Sequence, residues 1–211
     1  GYDSNSKAIK ASWKHATIAN GRAWIGAVRY VDDTGTERDY NDRMIASPPF
    51  MYDIFPTPYG FVDIDIGDGD AITALTSAHG RLLQFKSKIM YLYNIAAPDL
   101  QSAFVESTHP FRGVTKPYHV TNIANGVAWA NESGVFSYEG DEVIELMMAE
   151  GDEKQRIIKL SDWQDFFSDN SVIAYSPFEN IIIIKRNIDA SAESGASEAD
   201  VYVFEFNTGS W

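Results

Sequence analysis

Asn125-Gly126-Val127-Ala128-Trp129-Ala130-Asn131-Glu132-Ser133-Gly134-Val135-Phe136-Ser137-Tyr138-Glu139-Gly140-Asp141 reads as two short strands set between turns. Asn-Gly, Ser-Gly and Gly-Asp supply residues that tolerate a left-handed backbone, which a tight reversal needs. Between them run β-branched and aromatic side chains in segments of strand length, with no i, i+3, i+4 stripe to suggest a helix.

The same pattern occurs three more times. Asn20-Gly21-Arg22-Ala23-Trp24, His79-Gly80-Arg81-Leu82-Leu83 and Glu179-Asn180-Ile181-Ile182-Ile183 each place a turn signal directly before an apolar strand, at spacings of 59, 46 and 54 residues along the chain. Partner strands follow, as in Lys88-Ile89-Met90-Tyr91-Leu92-Tyr93 and Asp200-Val201-Tyr202-Val203-Phe204-Glu205-Phe206. The strand expectations are 23–30, 61–66, 81–85, 89–95, 127–131, 135–138, 143–147, 181–185 and 201–206. Helical turns are expected only at 98–105 and 161–167, where Ser161 would cap and Trp163, Phe166 and Phe167 would form an apolar face.

This predicts an all-β chain. Four copies of a two-strand core in 211 residues suggest four four-stranded units, and a repeat of about 40–50 residues with four strands is the mark of a β-propeller. The expected blades are 15–66, 67–110, 111–160 and 161–211, forming a propeller or part of one. A β-sandwich with recurrent hairpins is the other all-β architecture open to such a sequence. Trp24 and Trp129 take equivalent places in two repeats, and Phe85, Phe136 and Phe204 alternate with polar neighbours, so core packing between blades is their expected role. Trp13, Trp163, Phe166 and Phe167 fall outside the repeat and are candidates for contact with another subunit or with a missing part of the chain. The proline- and aromatic-rich run from Ser47 to Tyr59 is expected to be an ordered crossing between blades, packed by its own rings.

Composition narrows the functional classes. The net charge is −13, which disfavours binding to a phosphate backbone, where Lys and Arg must displace counterions. There is no Cys, which removes disulfides, thiolate nucleophiles and zinc–thiolate sites. No apolar run approaches the roughly 20 residues of a spanning helix, so no membrane partner is expected. The first residues lack an initiator Met and the pattern of a signal peptide. The sequence stops at Trp211, just after the turn signal Asn207-Thr208-Gly209. Both ends suggest a segment of a longer polypeptide.

No residue stands out as catalytic or cofactor-binding. His15, His79, His109 and His119 form no i, i+4 pair, and neither a nucleophile elbow nor a phosphate-cradling glycine loop occurs. Asp63, Asp65, Asp68 and Asp70 crowd around two glycines, which is one chemistry for calcium. They lack the EF-hand spacing, with no Glu at the twelfth position, and alternation along a strand would equally place Asp63 and Asp65 on a solvated face. No metal, cofactor or enzymatic activity is expected. The loop after Asn187 is small, polar and acidic and reads as a long hairpin loop.

Taken in order, Asn20-Gly21-Arg22-Ala23-Trp24-Ile25-Gly26, Asn41-Asp42-Arg43-Met44-Ile45-Ala46-Ser47-Pro48, Asp53-Ile54-Phe55-Pro56, Ile66-Gly67-Asp68-Gly69-Asp70-Ala71-Ile72, Gly80-Arg81-Leu82-Leu83-Gln84-Phe85 and Asn125–Gly140 resemble the β-propeller domains of tailed-bacteriophage virion structural proteins. That resemblance implies a non-catalytic assembly module in a tail nozzle, tail tube or head-to-tail connector. It further implies a homo-oligomeric ring, other virion proteins as partners, and a place in the virion. The alternative is a soluble or secreted propeller that binds carbohydrate or hydrolyses a glycosidic bond with paired carboxylates.

Overall fold

A computed structural model describes residues 11–31, 34–57, 59–64, 69–148, 155–186 and 201–211. Its strands form four antiparallel sheets, each taken up in chain order. The first holds β1 (Ala11–Ala19), β2 (Arg22–Val31), β3 (Glu37–Ala46) and β4 (Phe61–Asp63). The second holds β5 (Ala74–Ala78), β6 (Arg81–Phe85), β7 (Ile89–Asn94) and β8 (Phe104–Pro110). The third holds β9 (Val120–Ile123), β10 (Gly126–Asn131), β11 (Gly134–Glu139) and β12 (Glu142–Glu145). After the helix α1 (Leu160–Phe166), the fourth has three described strands, β13 (Val172–Ser176), β14 (Ile181–Lys185) and β15 (Val201–Glu205).

The turns explain the meanders. Asn20 and Gly21 both adopt left-handed backbone (φ 47° and 67°), as do His79 with Gly80 and Gly140 with Asp141. Two consecutive positive φ values give the reversal whose twist matches that of the flanking strands, so Ala19 pairs with Arg22, Ala78 with Arg81, and Glu139 with Glu142.

The chain divides into two compact units, Gly1–Gly113 and Val114–Trp211, each with two sheets. In the first unit, Trp24, Met44 and Ala46 of one sheet join Leu75, Leu82, Tyr91 and Tyr93 of the other in a buried cluster. Trp24 meets Tyr93 edge-on at 6.3 Å. The two first strands, β1 and β5, lie side by side, with the Thr17 and Ser77 hydroxyls 3.4 Å apart and Ser77 donating to the Ile18 carbonyl. The turn is clamped to the second sheet as well: Asn20 Nδ2 donates to the Ile95 carbonyl at 2.6 Å, and Arg22 donates to the carbonyls of Ser47 and Pro98. A Lys86–Asp42 ion pair at 2.8 Å also spans the two sheets.

In the second unit, Ala128, Ala130 and Val135 pack with Ile173, Ile182, Ile184 and Phe204 around Trp163 and Phe166 of α1. The first strands β9 and β13 again lie together. Trp163 donates its indole N–H to the Asn131 carbonyl, and Trp211 donates to the Leu146 carbonyl, both at 2.8 Å.

Several expectations need correction. Trp163 and Phe166 are 0% and 4% exposed and Phe167 packs against the same cluster, so these rings serve local packing and do not present a subunit contact. Ser161 lies inside α1; the N-cap is Lys159, without a side-chain cap, and Ser161 bonds to the Asp162 carboxylate instead. The expected turn at 98–105 is a single 3₁₀ turn at Leu100–Ser102, capped by Asp99, after which Phe104 and Val105 already belong to β8. The run Ser47–Tyr59 connects β3 to β4 of one sheet, so it is no crossing between blades, and Phe50 and Tyr59 are 77% and 76% exposed.

Candidate ligand cleft

Ala27 carries the feature that shapes the site. Its φ is +52°, and the pairing of β2 with β3 shifts register between Gly26 and Val28. Opposite Ala27, β3 carries two extra residues, since Gly26 pairs with Met44 and Val28 with Tyr40, and the left-handed backbone at Ala27 changes over the face that β2 presents beyond it. Ala23 and Ile25 before it, and Val28 and Tyr30 after it, therefore line the same apolar face, joined by Ile45 of β3. This is the face of the first sheet turned away from the Trp24 cluster.

A cleft of about 520 Å³ lies over that floor. One wall is β1, through Trp13, Ala16 and Ile18; the other is the β3–β4 loop, through Tyr52, Asp53, Phe55 and Thr57. Trp13 and Phe55 meet across it with ring centroids 5.9 Å apart and planes inclined at 42°. The loop is held by its backbone at both ends. Ser47 N–H donates to the Ala23 carbonyl, Phe50 N–H to that of Gly21, Gly60 N–H to that of Pro56, and Ala46 N–H to that of Gly60, at 2.7 to 2.8 Å. Prolines fix φ and withdraw donors, so the segment stays out of the ladder and stands as a wall.

Of the polar groups at the cleft, the Thr17 and Tyr30 hydroxyls are engaged, by Ser77 and Arg43, and others are unspent. The Ser12 and Thr57 hydroxyls, Trp13 Nε1, the Tyr52 hydroxyl and the Asp53 carboxylate enter no hydrogen bond or ion pair among the described residues. Trp13 is 48% and Tyr52 44% exposed. Elsewhere among the described residues of the first unit the carboxylates are engaged. A second depression, of about 480 Å³ beside Arg22, Tyr59 and Asp99, is lined by groups already used: Arg22 by two carbonyls, and Asp99 by the Gln101 N–H.

The aspartates singled out in the sequence are likewise committed. Asp63 forms a two-point pair with Arg43 and is 15% exposed, so it does not lie on a solvated strand face. Asp70 accepts from the backbone N–H and hydroxyl of Ser87 and from the Ala71 N–H. Asp65 and Asp68 lie outside the described residues, as does the acidic loop after Asn187. No group of three His, Asp or Glu side chains suited to a metal occurs among the described residues.

The histidines are dispersed. Burial lowers the pKa of His15, His109 and His119; for His119 the nearby Asp169 carbonyl and charge oppose the shift in part. His119 is 1% exposed, set edge-on between Tyr118 and Phe167. His109 Nε2 lies 2.8 Å from the Ser107 hydroxyl. His79 is spent on the left-handed turn position.

Sequence reading isolated Trp13 as lying outside the repeat, yet it did not bring Trp13 to Tyr52, Asp53 and Phe55. No protein-family model matches the chain, and no curated protein matches it.

Proposed function

We propose that the chain is a β-propeller or a part of one, acting as a rigid, non-catalytic assembly module of a phage-like virion, in its tail or head-to-tail connector. The observation that carries this reading is how consecutive meanders meet. Within each unit the first strands of two successive sheets lie together, β1 with β5 and β9 with β13, and apolar sheet faces close the core between them. This arrangement supports reading the sheets as blades, each burying one face on its neighbour.

The mechanism is mechanical. Buried Trp24 and Trp163 and the Asn20 and Arg22 clamps stiffen each pair of sheets. Loops make contacts with other virion proteins and with further copies in a ring. The net charge of −13 limits non-specific adhesion to DNA.

Light scattering of the full-length protein after size exclusion tests this. A mass of several identical copies is the expected result, since closed symmetric rings are the usual form of such parts. A strict monomer at micromolar concentration would overturn the ring.

A further inference from the structure

We propose that the cleft between β1 and the β3–β4 loop binds a neutral sugar, with Trp13 and Phe55 as the stacking surface and Asp53 as the hydroxyl acceptor. This goes beyond an assembly role and does not depend on it.

The cleft has the composition of a small-ligand site: a largely apolar lining with a few converging polar groups, in a volume within the usual range of about 300–1,000 Å³. Asp53 is the single charged residue among the described residues of that lining. An anion would meet that carboxylate with no cation among the described lining residues to offset it, which disfavours acidic ligands. A purely apolar ligand would leave the Asp53 carboxylate, the Trp13 N–H and the Tyr52 hydroxyl without partners while covering them, and covering an unpaired charge is costly.

A pyranose meets both demands. Its C–H face packs against aromatic rings, and Trp13, with 48% of its surface still open, offers such a ring beside Phe55. Its hydroxyls donate to a carboxylate as charge-assisted hydrogen bonds and accept from an indole N–H. The rings lie on a strand and on a loop pinned by four backbone hydrogen bonds, so little ordering is left to pay on binding.

The experiment is saturation-transfer-difference NMR on the whole chain. The probes are maltose, cellobiose and lactose at about 5 mM, with N-acetylneuraminic acid as the anionic counterpart. At least one neutral disaccharide is expected to receive saturation, strongest on the C–H protons of one ring face, and the anionic sugar none. Trp13→Ala and Asp53→Asn, both at exposed positions, should each weaken binding about tenfold, with far-UV circular dichroism unchanged. Absence of transfer to all three neutral sugars overturns the proposal. Equal affinity in both variants, or binding of N-acetylneuraminic acid as strong as that of the neutral sugars, does so too. Should Trp13→Ala instead reduce the assembly mass with no sugar bound, the cleft is a contact between copies and the sugar assignment falls while the assembly reading stands.

Discussion

Arg43 on β3 and Asp63 on β4 face each other across the sheet with two parallel hydrogen bonds, Nε to Oδ1 at 2.7 Å and Nη2 to Oδ2 at 2.6 Å. The guanidinium also donates to the Tyr30 hydroxyl and lies about 4 Å from the ring centroids of Tyr40 and Phe61. The hydrogen bond to Asp63 is the chief reason the Arg43 pKa rises further above its usual value, against an opposing effect of burial.

Removing the carboxylate strands a half-enclosed cation. Asp63→Asn should lower unfolding stability by about 2 kcal/mol or more in urea titration. Because Asp63 is engaged by Arg43 and Asp70 by Ser87, millimolar calcium should leave the denaturation midpoint unchanged. A clear calcium-induced rise would show that the aspartates exchange these partners for the ion.

Trp163 fills the centre of the second unit, against Phe166, Phe167 and Tyr202, and donates to Asn131. Trp163→Ala should cost about 3–5 kcal/mol of stability. The same change at the 48%-exposed Trp13 should cost under about 1 kcal/mol. Parallel denaturation curves separate the two.

Gln84 is fully buried on β6, with neither its amide oxygen nor its amide nitrogen hydrogen-bonded. It stands opposite Leu75 and Tyr91 in the strand pairing. An unpaired amide in such a place costs more than the apolar side chain of similar length that could replace it. Gln84→Met should therefore stabilise the protein by about 1 kcal/mol, read as a shift in denaturation midpoint. Destabilisation would show that the amide is satisfied in solution.

Stability should depend on pH with a defined sign. His15, His109 and His119 have pKa values below the ordinary 6.5 because burial disfavours the imidazolium. The unfolded chain then binds more protons than the folded one near and below pH 6.5, so stability is complete above that value and falls as pH drops through it. His119→Gln should flatten this slope. A stability that rises on acidification over the same interval would contradict the assignment.

The sequence foretold strands best where a turn residue and an apolar run coincide. Arg81–Phe85 and Ile181–Lys185 have the expected bounds, Gly126–Asn131 starts one residue early, and Gly134–Glu139 is longer by one residue at each end. It failed where a strand is defined by its partner. The first seven of the ten residues of β3, Glu37-Arg38-Asp39-Tyr40-Asn41-Asp42-Arg43, are highly polar and form a strand because β2 supplies the ladder and the Arg43–Asp63 pair fixes the register. Strand β1 escaped because it is an edge strand with exposed residues on one face. The cleft was hidden for a related reason. Trp13 and Asp53 are 40 residues apart, and they line one cleft whose floor includes Val28 and Tyr30, brought by the left-handed backbone at Ala27 onto the same face as Ala23 and Ile25.

Electron microscopy of the full-length protein decides most directly whether this chain belongs to an assembling part. Class averages should show closed particles with rotational symmetry and several identical copies per ring. Uniform single copies without symmetry, under conditions where the protein is folded and concentrated, would contradict the assembly role.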